Sequence, residues 1–509
     1  MKIRSQRPAF SAFPILRAAM MNKLHVACGV ALILSGSSPA HTEPILKEGN
    51  ANVICNYSHT LPDDPIVYPN RANVAMSHDF FGNRNANASS TAATLLAQAD
   101  TTCQNPADST AYWAPSLRLK DGTIIRPDYQ KTYYTNAAPP SNNRYPVIAI
   151  PPGMKMLAGN HEGSAPNPNV TFLCTGSPSG YTNTIPTDCV PDPASGTQFN
   201  IGISYATCWD GVNLAPVMDT NMMRGKIRNK PLSAMMKHNN IAYADASGQC
   251  PSGYPKRIPH LSYNLAYQIG NVTDLTGAQL SLDPTLDAQG NVVALNWGSL
   301  YTAHGDFFSG WQPQALDYMA NYCLNKERDC STEVAYSYAE PSADSYVRGG
   351  SDADNNYGAR PTLAISSNDD ANYAVLRFAI PTGGDRIPAS YRPIYQLMIA
   401  GGNVTNTSAS TVYGYVMDND WDQKTVTGKN APACVTSGDY VGWYLDNARN
   451  YRPVDVSRMV NAAIAKGQTE ISFCIQAWHT TPTLDYTFDS AEGANRPVLF
   501  LSGYDDHPH

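Results

Sequence analysis

Ten cysteines scattered between Cys55 and Cys474 constrain this chain more than any other feature of its sequence. They stand at Cys55, Cys103, Cys174, Cys189, Cys208, Cys250, Cys323, Cys330, Cys434 and Cys474, and the eleventh, Cys28, falls in an N-terminal apolar segment. An even set without CxxC spacing reads as a disulfide framework and not as paired zinc ligands. Pairing neighbours in sequence gives the bridges 55–103, 174–189, 208–250, 323–330 and 434–474. Bridges of this kind stabilise a fold by ~2–4 kcal/mol each. The 323–330 bridge would staple the end of a short helix, expected over Gln312–Asn325, to the loop that follows.

Disulfides require an oxidising compartment, and the N-terminus supplies a route to one. The stretch MMNKLHVACGVALILSGSSPA, Met20 to Ala40, has a short basic start, an apolar middle and small residues at Ser38 and Ala40. That is the pattern of a signal peptide, which places residues 1–40 outside the mature chain. It is too short and too lightly flanked to be a membrane span. His25 stands where a lipoprotein signal needs an aliphatic residue, so Cys28 is not read as a lipid anchor. No other apolar run is long enough to cross a bilayer. The expected location is secreted, extracellular or periplasmic.

A length of 509 residues predicts two domains. Only 15% of residues are charged, against 36 Gly, 38 Pro and 30 Tyr, the balance of a turn-rich β protein. The net charge of -7 argues against a nucleic-acid partner, which calls for a basic face. The expected fold class is mainly β. A loop-rich, disulfide-tied β domain over 41–335 precedes a jelly-roll-like β-sandwich module over 340–505, with the boundary near Glu340. In the second part the runs TLAISSN, YAVLRFAI, IYQLMIAGG, TVYGYVM, EISFCIQAW and RPVLFLSG are short and bounded by Gly, Asn, Asp or Pro. That is the spacing of sandwich strands.

The C-terminal part resembles the DNRLRE-type carbohydrate-binding module family. The resemblance rests on ADSYVRGGSDADNNYG (Ala343–Gly358), YAVLRFAIP (Tyr373–Pro381) and YTFDSAEGANRPVLFL (Tyr486–Leu501). It implies a polysaccharide partner, and an acidic one where members bind alginate. Asp344, Asp352 and Asp354 in the opening motif read either as turn residues or as a structural calcium site. The N-terminal part resembles the secreted domain-of-unknown-function family nineteen ninety-six. Here the matching residues are SHDFFGN (Ser77–Asn83), TTCQNPADSTAYWAPSL (Thr101–Leu117), PPGMKMLAG (Pro151–Gly159), CWDGVNL (Cys208–Leu214), KHNNIAYA (Lys237–Ala244), CPSGYPKRIPHLSY (Cys250–Tyr263) and HGDFFSGW (His304–Trp311). This resemblance implies membership without implying an activity.

Two of these stretches repeat the same elements: a histidine, an aspartate, a Phe-Phe pair and a glycine. In an extended strand His304 and Asp306 point to one face, whereas His78 and Asp79 point to opposite faces. The two stretches are expected to meet in space, with His78, His304 and Asp306 on one cleft wall and Asp210 and His238 nearby. Three readings stay open. The five residues could act as acid and base on a polysaccharide, by hydrolysis or elimination, with Tyr112, Tyr133 or Tyr134 as alternative bases and Arg118 or Lys131 neutralising a uronate. His78, His304 and Asp306 could bind a divalent metal. Or they could be hydrogen-bonded structural residues. Tyr112, Trp113, Tyr134, Trp209 and Trp311 are candidate sugar-stacking residues, and Trp297, Trp421, Trp443 and Trp478 are further aromatic candidates. Cleavage after Ala40 would also leave His41 as an N-terminal copper-chelating residue, for oxidative polysaccharide cleavage. The leading expectation is a carbohydrate-active hydrolase or lyase, and the rival is a glycan-binding adhesion or matrix protein without catalysis.

Overall fold

In a computed structural model the described residues are 43–97, 100–219, 232–289, 291–367, 372–383, 391–404, 411–444, 451–477 and 483–505. The signal segment, His41 and Trp478 lie outside them. The protein is mainly β, and five disulfides join the cysteines that are neighbours in sequence: 55–103, 174–189, 208–250, 323–330 and 434–474.

The first part is organised by a nine-stranded antiparallel sheet. Its strands in chain order are β1 (Asn50–Leu61), β2 (His78–Gly82), β3 (Ala111–Pro115), β4 (Tyr129–Thr135) and β5 (Lys155–Gly159). They continue as β6 (Val170–Cys174), β7 (Gln198–Ser204), β8 (His260–Gln268) and β9 (His304–Phe308). Across the sheet they run β5-β9-β3-β2-β1-β4-β8-β7-β6. β4 shows how sequence alternation becomes burial: Gln130, Thr132 and Tyr134 turn inward while Lys131 and Tyr133 stay half-buried on the other face. β2, β3 and β9 are different, because every residue in all three is buried.

The reason is that this end of the sheet is covered on both faces. Phe81, Tyr112 and Phe307 belong to the large core. Phe80, Trp113 and Phe308 belong to a second apolar cluster with Ile66, Val67 and Leu95 from the connection between β1 and β3. The two Phe-Phe pairs therefore put one ring into each core. At ~2–3 kcal/mol of apolar burial per ring, they hold three strands between two packed layers.

A helix over Pro313–Leu324 closes the first part. It widens at its end, where the Asn325 N–H reaches Ala320 O five residues back at 2.9 Å. The Cys323–Cys330 bridge joins this end to its loop, as the sequence suggested.

Among the described residues the second part has three antiparallel sheets. One has four strands, built on Tyr391–Ala400 and Val498–Asp505; one has five, built on Tyr373–Ala379 and Glu470–Ala477; one has three, built on Thr362–Ser366 and Asp485–Asp489. Leu397, Ile399, Leu499 and Leu501 from the first sheet share a core with Leu376, Phe378, Phe473 and Ile475 from the second and with Ile365 and Phe488 from the third. Layers sharing one core make a sandwich. Ser337–Ala339, just before Glu340, pairs with Val498–Asp505 and so extends the four-stranded sheet. Tyr318 of the helix lies tilted against Phe500 and Tyr322 edge-on to Tyr451, with ring centroids 5.2 and 5.9 Å apart, so an aromatic seam joins the two parts.

Candidate functional site

The two repeated stretches meet because β2 and β9 flank the same strand. Phe80 and Asp306 both stand opposite Trp113 of β3, and Phe81 and Phe307 both stand opposite Tyr112. His78 pairs with Pro115, and the same register carries His304 alongside it. Strand parity then puts His78, His304 and Asp306 on one face and Asp79 on the other. Asp79 accepts hydrogen bonds there from Thr60 Oγ1 (2.5 Å) and Ser116 Oγ (3.2 Å). The His78 and His304 ring centroids lie 6.0 Å apart at an interplanar angle of 88°.

Both imidazoles use Nδ1 against the main chain. His78 Nδ1 lies 2.9 Å from Asp63 O, and His304 Nδ1 lies 2.9 Å from Thr302 O. Their Nε2 atoms face Asp306 Oδ2 at 4.0 and 3.9 Å, too long for a hydrogen bond. All three side chains are fully buried. Burial moves the His78 pKa down to about 4 and that of His304 to about 3, helped there by the neighbouring His78, and it pushes the Asp306 carboxyl well above the usual range. His161, which follows the PPGMKMLAG motif by two residues, stacks on His304 with centroids 3.5 Å apart. The positive φ of Gly159 (+88°) turns the chain there. An added Cβ on Gly159 would sit 2.3 Å from Ala303 O. Sequence reasoning passed over His161; its signal was its place directly after a matched motif.

Asp210 and His238 form a separate pair on the small sheets beside β5. Cys208–Trp209 pairs with Ile241–Ala242 and Lys256–Arg257, and Val217 stands opposite His238. His238 Nε2 is 2.7 Å from Asp210 Oδ2, and its ring stacks on Tyr254 at 5.7 Å. Burial raises the Asp210 pKa, but hydrogen bonds from Asn213, Val212 and His238 outweigh it and hold the carboxyl at about 2. The carboxylate is 6% exposed and the imidazole 39%, so a fixed acid orients a ring that solvent reaches.

The aromatic candidates divide by burial. Tyr112, Trp113, Tyr134 and Trp311 are buried, and a ring with both faces packed cannot stack on a sugar from solvent. They build structure instead of a sugar platform, which corrects the expectation for these four. Three of them form a buried polar chain ending at Asp108. Trp311 Nε1 donates to Tyr134 Oη (3.0 Å), the Tyr134 and Tyr112 hydroxyls are 2.7 Å apart, and Tyr112 Oη donates to Asp108 Oδ2 (2.6 Å). Trp421 and Trp443 are buried too, whereas Trp209 is half-buried with Nε1 on Asn213 O at 2.8 Å. The Arg118 guanidinium lies 4.1 Å over the Trp297 ring, and the Lys131 ammonium 4.7 Å over Tyr133.

In the sandwich a groove of about 480 Å³ is lined by Asn356, Arg377, Asp422, Gln423, Lys424 and Glu492, among others. Arg377 Nη1 donates to Asn419 O and Trp421 O at 3.0 Å each, with the guanidinium 5.3 Å from the Trp421 ring. The aspartates of the opening motif go to different partners. Asp344 Oδ2 accepts from Ala491 N (2.7 Å), Asp352 lies 3.9 Å from Arg348, and Asp354 lies 2.7 Å from Lys429. Asp344 is thus a buried strand residue, whereas Asp352 and Asp354 pair with basic side chains, which favours the turn-and-pairing reading over calcium for those two. Among the described residues, the closely spaced sets of three metal-type donors are His78–His304–Asp306 and Cys55–Cys103–Asp108, the second with its thiols bridged.

Residues 64–311 match the family described as a domain of unknown function, DUF1996. Residues 335–503 match carbohydrate-binding module family 96. No curated protein matches the chain. The disulfides and the carbohydrate-binding module fit an extracellular protein, and among the described residues no helix is long and apolar enough to cross a membrane.

Proposed function

We propose that this is an exported polysaccharide-binding protein whose sandwich seats an acidic glycan in the groove beside Arg377 and Lys424. The observation that supports this reading most is that groove, about 480 Å³ within the region that matches a carbohydrate-binding module. A cleft of this size suits a few sugar units. Arg377 and Lys424 suit uronate carboxylates, and Asn356, Gln423, Asp422 and Glu492 suit sugar hydroxyls. The test is a set of binding isotherms of the mature chain on alginate, pectin and a neutral glucan. Lys424→Glu reverses an exposed charge without touching the core. It is expected to weaken binding to the acidic glycans about tenfold, with the difference shrinking as salt screens it. Equal affinity of both proteins for every glycan, or binding to none, overturns the reading.

A second reading is catalytic and is favoured by the Asp210–His238 pair. With Nε2 committed to Asp210, the His238 Nδ1 is the atom that can take or give a proton at a bound glycan. The reaction class is elimination or hydrolysis. Incubation with the same polysaccharides, followed by absorbance of unsaturated uronates and by reducing-end release, tests it. Turnover that survives His238→Ala removes the residue from the chemistry.

A further inference from the structure

We propose that His78, His304 and Asp306 are the ligands of a buried divalent transition-metal ion that clamps β2, β9 and the Asp63 loop together. The argument begins with tautomers. A main-chain carbonyl can only accept, so the Nδ1 atoms on Asp63 O and Thr302 O carry the protons. Each neutral ring therefore presents Nε2 as a bare lone pair, and both lone pairs face the Asp306 carboxylate at 4.0 and 3.9 Å. Whichever protonation state the carboxyl takes, neither lone pair lies within hydrogen-bond reach of it. His78 Nε2, His304 Nε2, Asp306 Oδ1 and Asp306 Oδ2 are all buried and all lack a hydrogen-bond partner. Leaving one such group unpaired costs ~1–3 kcal/mol, and four together are a large debt for one end of a sheet.

A cation satisfies all of them at once. One donor atom from each residue lies within 4.8 Å of the others. Ligand bonds of ~2.0–2.2 Å put tetrahedral neighbours ~3.3–3.6 Å apart, so closing the set needs each donor to move inward by less than ~1 Å. Metal-bound histidines commonly donate the other ring nitrogen to a carbonyl or carboxylate, which is the arrangement both rings show here. Two imidazoles and one carboxylate suit zinc, cobalt, copper or iron(II). Calcium and magnesium call for oxygen-rich shells. His161, stacked on His304 with a buried and unpartnered Nε2, offers a further nitrogen for the open side of the set. Because the ligands are fully buried, an ion here is set back from any polymer in solvent. It would act on the fold, and the inference stands independently of the glycan reading.

The experiment uses the mature protein, stripped with chelator and then titrated with Zn²⁺ by calorimetry and with Co²⁺ by visible absorption. One equivalent per chain is expected, with Co²⁺ bands of a nitrogen-containing shell and a rise in melting temperature on loading. Asp306→Asn and His78→Gln are expected to weaken binding at least about 100-fold and to abolish the Co²⁺ bands. Wild-type protein that takes up no equivalent tighter than about 1 mM overturns the proposal. So does a folded variant that binds as tightly as wild type, since the ion would then sit elsewhere, for example at half-exposed His238. If both variants fail to fold, the wild-type titration and its thermal shift still decide.

Discussion

Replacing Tyr134 with phenylalanine separates the packing account of the aromatic residues from a sugar-binding one. Donor bookkeeping along the chain is consistent: Trp311 N–H gives to Tyr134, Tyr134 O–H to Tyr112, and Tyr112 O–H to Asp108. Burial keeps the Asp108 carboxyl raised to about 7 even with hydrogen bonds from Tyr112 and Thr110 working against it, so the chain ends on a group that gains from every donor. Tyr134→Phe keeps the ring and changes no packing volume, so no cavity cost enters. It removes two hydrogen bonds and leaves the Trp311 N–H buried without an acceptor. The orphaned Trp311 donor costs ~1–3 kcal/mol and the lost bond to Tyr112 about 1 kcal/mol more, so the sum is roughly 2–4 kcal/mol. Denaturant unfolding followed by tryptophan fluorescence reads this as a lower midpoint at unchanged slope. Glycan affinity should stay the same. A loss under about 0.5 kcal/mol would refute the chain as a structural unit, and a loss of glycan binding without loss of stability would return Tyr134 to the ligand.

Three further outcomes are expected. The 208–250 bridge closes a loop of 42 residues and the 323–330 bridge one of 7, so in the chain-entropy account Cys208→Ser/Cys250→Ser costs about 4 kcal/mol and Cys323→Ser/Cys330→Ser about 2.4 kcal/mol; equal shifts in unfolding midpoint would contradict the ordering. Burial, with the Arg144 charge adding to it, moves the His260 pKa down to about 4, while Nε2 sits 2.8 Å from Ser204 Oγ. Between about pH 6.5 and 4 the unfolded chain takes the proton first, so this group's contribution is intact above pH 6.5 and falls with pH through that window, by roughly 2 kcal/mol from pH 7 to 5. His260→Gln should flatten that part of the stability profile, and a profile that does not change would assign the loss to other groups. Gly159→Ala forces a side chain onto a φ of +88° and a Cβ to 2.3 Å from Ala303 O, so the β5–β9 pairing beside His304 should weaken by more than about 1 kcal/mol; a melting temperature equal to wild type would show that the turn can relax.

The sequence alone was enough for the features that depend on short range and on counting. An even set of cysteines, spread out and close in order to their partners, led to the five observed bridges because loop closure favours near neighbours. Short bounded apolar runs led to a sandwich, and the short helix expected over Gln312–Asn325 is the one observed over Pro313–Leu324. Period two sufficed to put His304 and Asp306 on one face and to separate His78 from Asp79. What it could not supply was depth. A strand reads the same whether one of its faces meets water or both meet protein, so the cleft expected around His78 became a closed, two-sided core only once the segments 62–77 and 83–97, on either side of β2 in the chain, were laid over β2, β3 and β9. The same blindness made sugar platforms of Tyr112, Trp113, Tyr134 and Trp311, and it hid His161, which approaches His304 only because β5 pairs with β9. Burial and the pairing of unlike segments are properties of the whole chain, and they decide which polar atoms lose their water and so which ones need a partner.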